Sequence, residues 1–212
     1  MDIYIIAKDC LRLKGKRSTF IVDPTAALKS KTPTDAVIVL NEQEKYDLSK
    51  IEESRVTIKG PGEYEIGGVF ITGISTSRSN GEKKKKDDES KRNTLYLFDF
   101  DGLTVCHLGD LDHVPTQSQI EDLGSVHVAL VPVGGGGGLN AAQAAEVISL
   151  LEPSIVIPMH YRTPAVSLKL DPVSKFLKEM GLSSVKEEAS LKVSRSSLPE
   201  ETHVVLLDYK AA

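Results

Sequence analysis

Short strand-like runs fill the first half of the chain, and in the second half they trade places with helix-like segments. The first set is Ile3 to Ala7, Ser18 to Val22, Asp35 to Leu40, Arg55 to Lys59 and Gly67 to Ile74, each bounded by turn-forming residues. From Leu95 onward, LYLFDF, a turn at Asp101-Gly102, LTVCHLG, HVALVPV, SIVIPMH and THVVLLDY read as strands, separated by helix-like SQIEDLG, NAAQAAEVISLL and DPVSKFLKEMG. Strand and helix patterns in this succession predict a mixed sheet covered by helices. One helix should start after Asn140, an N-cap residue ahead of an Ala-rich run. Another should start near Asp171, with Pro172 next and Gly181 beyond its last turn.

At 212 residues, with no linker and no internal repeat, the chain is expected to form one domain, 1–212. Its formal net charge of -4 gives no overall attraction to nucleic acid or to an anionic membrane. No stretch approaches the ~20 apolar residues of a membrane span, and the N-terminus lacks the features of a signal peptide. Cys10 and Cys106 lie in apolar strand-like runs without metal-binding spacing, which predicts buried free thiols and a reducing, cytoplasmic setting. Residues 79–92, with clustered lysines followed by clustered acids, predict a charged mobile loop. Its acidic half would repel phosphate as its basic half attracted it.

Four blocks together resemble the metallo-β-lactamase superfamily, in its branch of small prokaryotic metal-dependent hydrolases related to the ascorbate-phosphate lactonases. They are FIVDP (Phe20 to Pro24), GPGEYEIGGVFITGI (Gly60 to Ile74), CHLGDLDH (Cys106 to His113), and VPVGG with IVIPMHYRTP (Val131 to Gly135, Ile155 to Pro164). The resemblance implies an α+β fold, a four-layer αββα sandwich, with an active site at one edge of two sheets that holds one or two ions of zinc, manganese or iron.

The family's H-x-H-x-D-H signature would fall in the loop after Asp35 to Leu40, which reads NEQEKY. Alignment places Asn41 and Gln43 at the first two His positions, Lys45 at the Asp position and Tyr46 at the last His position. A further family His is replaced by Arg78, and an N-terminal GHSCF-like motif has become AKDCL. An amide oxygen is a weak donor for zinc, and an ammonium has no lone pair to give. Two family positions keep their residues: Asp110, the bridging carboxylate, and His160, the final imidazole. His107 and His113 flank Asp110, but their family counterparts are not direct ligands, and a strand-end or loop role fits them better. His127 and His203 read as residues that begin strands.

Other motifs are weaker. The Gly134 to Asn140 run could cradle an anion on backbone N–H groups but lacks Walker and dinucleotide signatures; a loop rimming the cleft is the simpler reading. GPGEY reads as a turn, with Glu63 a remote candidate for a catalytic carboxylate.

The residues therefore lead to a binding or structural protein without a cofactor, in which Lys45 and Arg78 stand in for the cations beside Asp110, with room for a small anion in the cleft. The alternative is a hydrolase of a phosphoester, lactone or similar small substrate, with one weakly held zinc or manganese ion on Asp110, His160 and an unaligned group.

Overall fold

The structure is a computed structural model that describes residues 1–7, 10–25, 28–40, 46–77, 92–164 and 169–209. Two large sheets face each other. The first is built from β1 (Asp2–Ala7), β2 (Cys10–Lys14), β3 (Thr19–Val22), β5 (Ala36–Val39), β7 (Val56–Lys59) and β15 (Leu191–Lys192), in the order β15-β1-β2-β3-β5-β7. The second takes β8 (Gly62–Ile66), β9 (Val69–Ser77), β10 (Arg92–Phe100), β11 (Leu103–His107), β12 (Val128–Pro132), β13 (Ile155–Met159) and β16 (His203–Val204), in the order β16-β13-β12-β11-β10-β9-β8. Two small pairs complete the strands, β4 (Thr32–Pro33) with β6 (Ile51–Glu52) and β14 (Glu187–Glu188) with β17 (Leu206–Leu207).

Alternation along the strands decides which faces meet. Ile3, Ile5, Leu11, Leu13, Phe20 and Ile38 of the first sheet pack on Ile71, Tyr96, Phe98, Val105, Leu130 and Ile157 of the second, all at or near zero exposure. Phe20 meets Phe98 at 6.1 Å and Phe100 edge-on at 5.8 Å between ring centres. The alternate residues of the second sheet, among them Leu95, Cys106, Ala129, Val131 and Val156, face outward. They are covered by α1 (Gln117–Leu123), α2 (Ala141–Leu151) and α3 (Val173–Glu179). On the outer face of the first sheet, Ile6, Cys10 and Ile21 are covered by Leu28 and Ile51, which come from irregular chain and β6.

The α2 start is as the sequence predicts. Asn140 is its N-cap, and Gln143 reciprocates in a capping box. α3 starts at Val173, near Asp171 as expected, with Pro172 as its N-cap. GPGEY is only partly a turn, since Gly62 already opens β8. Cys10 and Cys106 are buried free thiols, and burial pushes the Cys106 thiol up to about 12. Among the described residues, no helix is long and apolar enough to cross a membrane. Of the charged loop expected at 79–92, all but Arg92 lies outside the described residues.

The strand directions position the site. β3, β5 and β7 run parallel in one sheet, and β11, β12 and β13 run parallel in the other. The loops that leave their carboxyl ends therefore gather at ends of the two sheets, where open α/β architectures place ligands.

Candidate functional site

Asp110 follows β11 and His160 follows β13, two strands separated only by β12. Their side chains meet, with His160 Nδ1 3.1 Å from Asp110 Oδ1. The imidazole is 11% exposed and the carboxylate 31%, so solvent reaches the pair from the carboxylate side. His160 also holds a left-handed backbone, φ 54°, which a non-glycine residue adopts at some cost. Its carbonyl is seated against Gly134, where an added Cβ would lie 2.3 Å from His160 O.

Asp110 is aimed by a residue that carries no sequence signal. Asn93, buried at the start of β10, accepts the Asp110 N–H on Oδ1 at 2.8 Å. Its Nδ2 donates to Leu108 O at 3.0 Å and to Thr76 Oγ1 at 3.1 Å. The turn between Leu108 and Asp110 passes so close to this amide that a Cβ on Gly109, φ 58°, would sit 2.3 Å from Asn93 Oδ1. One side chain thus ties β9, β10 and the Asp110 loop together.

His107 ends β11 and is 1% exposed. Its Nδ1 accepts the Gly109 N–H at 2.9 Å, which puts the proton of the neutral ring on Nε2. That Nε2 has no hydrogen-bond partner among the described residues. Burial holds His107 neutral, lowering its pKa to about 4, with Asp110 opposing the shift and His160 reinforcing it. With Nδ1 accepting a backbone N–H, the ring offers no free lone pair in this tautomer. His113 pairs with the neighbouring Asp112 at 2.8 Å. His127 accepts the Thr104 N–H at 3.0 Å and touches Arg195, and His203 opens β16 on the surface. Glu63 is exposed on β8.

The glycine run is more structured than a simple flexible rim. Gly135, Gly136 and Gly137 have φ of 67°, 68° and 112°, which side chains rarely adopt. Leu139 N bonds Leu111 O at 2.8 Å, and Asp171 N bonds Gly134 O at 2.8 Å. The loop therefore joins the Asp110 loop to the chain after His160. Tyr161, beside His160, packs edge-on to Tyr209 at 5.5 Å, and burial pushes its hydroxyl up to about 12.

From the first sheet, the Asp23 carboxylate of the FIVDP block accepts the Leu40 N–H at 2.8 Å and so fixes the start of the loop after β5. Of the aligned ligand positions in that loop, Tyr46 is half-buried, with the Lys59 ammonium 5.2 Å from its ring centre. Asn41, Gln43, Lys45 and Arg78 lie outside the described residues, and with them the expected pairing of Lys45 and Arg78 with Asp110.

The donors present fit part of a metal site. Two donors on one ion at ~2.0–2.2 Å bonds stand about 2.8–3.6 Å apart between octahedral and tetrahedral angles, a range that includes the 3.1 Å between the Asp110 and His160 atoms. Carboxylate plus imidazole also suits zinc or manganese. Among the described residues, no group of three His, Cys, Asp or Glu side chains completes the site.

Residues 2–160 match a family model described as the beta-lactamase superfamily domain. The structure is similar, at TM-score 0.81 and 32% identity over 97% of both chains, to that of a candidate zinc-dependent hydrolase of the metallo-β-lactamase superfamily from Thermotoga maritima. A metallo hydrolase from Ignicoccus hospitalis shares the fold at TM-score 0.66 and 18% identity, over 97% of this chain and 94% of that one. A UPF0173 metal-dependent hydrolase of Pyrococcus abyssi is 32% identical over 108 residues, 50% of this chain and 47% of that protein. Another, from Pyrococcus horikoshii, is 29% identical over 133 residues, 62% of this chain and 58% of that protein. The chain thus matches about half the length of these curated relatives. Relatives named metal-dependent hydrolases overturn the expectation of a protein without a cofactor. That expectation counted Asp110 and His160 as too few ligands after the replacements at the other aligned positions, and the two kept residues do meet in the structure.

Proposed function

The chain belongs to the beta-lactamase superfamily, and from that premise we propose that it is a metal-dependent hydrolase of a small phosphoester or lactone, with one divalent ion held by Asp110 and His160. The observation that carries this reading is the 3.1 Å approach of Asp110 Oδ1 and His160 Nδ1 at the ends of two parallel strands. The sequence between β5 and β6 also contains Glu42 and Glu44, which lie outside the described residues.

When bound, a zinc or manganese ion supplies Lewis acidity toward a phosphoryl or acyl oxygen and makes water acidic enough to attack near neutral pH. The chain's own groups prepare that chemistry. His160 Nδ1 must give up any proton it carries to act as a donor, so loading competes with protons and weakens as pH falls. Asn93 holds the Asp110 backbone so that the carboxylate needs no reordering on binding. Neutral His107 keeps a second positive charge away from the centre, and the Gly134 loop keeps the His160 carbonyl in place.

The test is turnover of bis(p-nitrophenyl) phosphate and of a γ-lactone by protein loaded with zinc or manganese. Hydrolysis that is removed by chelation and by His160→Gln is expected. Activity unchanged by either treatment, or none with any metal, overturns the proposal.

A further inference from the structure

The β10–β11 hairpin has two ends. Tyr96 pairs with His107 at the end that carries the metal donors, and Phe100 pairs with Leu103 at the turn end. The five residues of β11 separate these ends by about 13 Å, four steps of roughly 3.3 Å. At the turn end lies a cleft of about 370 Å³, bounded by the β2–β3, β8–β9 and β10–β11 turns and by the chain after β15. That volume is in the range of small-molecule sites.

The cleft has two chemistries. Val69, Phe100, Leu103 and Val193 line it and are each at least nine-tenths buried. Around them stand Lys16, Arg17 and Arg195, with Asp101 as the acid among the lining residues. Three cationic side chains against one carboxylate are a local reversal of sign in a chain of net charge -4. None of the three makes an ion pair among the described residues. Arg195 is also held in place, its Nη1 donating to Gly102 O at 3.1 Å. Gly67 and Gly68, φ 61° and 78°, make the β8–β9 turn at the cleft wall, and open space lies where a Gly68 side chain would begin.

We propose that this cleft is a second binding site, remote from Asp110 and His160, for a small organic anion with an apolar body, of the aryl phosphate or phosphonate kind. The apolar floor takes the ring, and the Arg17 and Arg195 guanidiniums take the anionic head, for which their forked donors are suited. Neither half of the ligand suffices alone: a bare phosphate gains nothing from the apolar lining, and a neutral arene gains nothing from the cations. The site is independent of the hydrolase reading, because none of its residues belongs to the metal centre.

The experiment follows backbone amide shifts of the full chain during titration with phenylphosphonate, inorganic phosphate and benzyl alcohol. Phenylphosphonate should give saturable shifts at Gly67, Gly68 and Gly102 and bind roughly tenfold or more tighter than either half-probe. Arg17→Ala with Arg195→Ala should weaken it at least about tenfold. If that variant does not fold, Lys16→Glu with Arg17→Glu, confined to an exposed turn, makes the same comparison. Shifts confined to the Asp110 and His160 loops, equal affinity for the three probes, or undiminished binding in a folded variant would each overturn the proposal.

Discussion

The side-chain oxygen of Asn93, on β10, accepts the backbone N–H of Asp110 at 2.8 Å, across 17 residues of sequence. The same amide bonds Leu108 O and Thr76 Oγ1, so its loss strands several buried groups at once.

Asn93→Ala should therefore cost about 1–3 kcal/mol of stability and weaken metal binding by roughly 10–100-fold, as loss of an orienting partner does. Denaturant unfolding and metal titration on the same protein check both. Unchanged metal affinity would show that Asp110 needs no such support.

How much of this was legible in the chain divides along physical lines. The strands and the α2 cap follow from local periodicity and from Asn140 with Gln143, signals contained within a few residues. Asp110 and His160 stood out through family resemblance. Asn93 did not, because its role depends on a turn that folds back from residue 109, and nothing in the neighbouring SKRNTL marks it. The β8 start was hidden by its glycines: Gly62, φ 151°, opens a strand against Gly73 where Gly-Pro-Gly suggests only a turn. The absence of a cofactor was inferred by counting aligned ligands, a count that says nothing of groups the alignment does not match.

His107 gives a pH signature. Its folded pKa, about 4, lies below the ordinary value of 6.5, so the unfolded chain takes up a proton that the folded chain refuses. The resulting stability is complete above pH 6.5 and is lost as pH falls toward 4, a change on the order of 3 kcal/mol. Urea unfolding of chelated protein should show the wild type's pH slope in this window exceeding that of His107→Leu. Identical slopes would mean that His107 is hydrated or charged in the fold.

Gly134 and Gly138 give a paired steric comparison within one loop. A Cβ at Gly134 meets His160 O at 2.3 Å and Tyr161 Cα at 2.9 Å, both backbone, whereas at Gly138 its nearest neighbour is 3.5 Å away. Gly134→Ala should destabilise by roughly 1–3 kcal/mol and lower metal affinity by displacing His160. Gly138→Ala should leave metal affinity unchanged. Equal effects of the two substitutions would separate the glycine loop from the His160 position.

The most direct measurement is metal content by elemental analysis of protein produced in medium supplemented with zinc and manganese, compared with His160→Gln and Asp110→Asn. The hydrolase reading predicts about one ion per wild-type chain, a melting temperature lowered by EDTA and restored by metal, and loss of the ion in both variants. A wild-type protein that carries no stoichiometric metal, melts at the same temperature with and without EDTA, and matches both variants in content would contradict it.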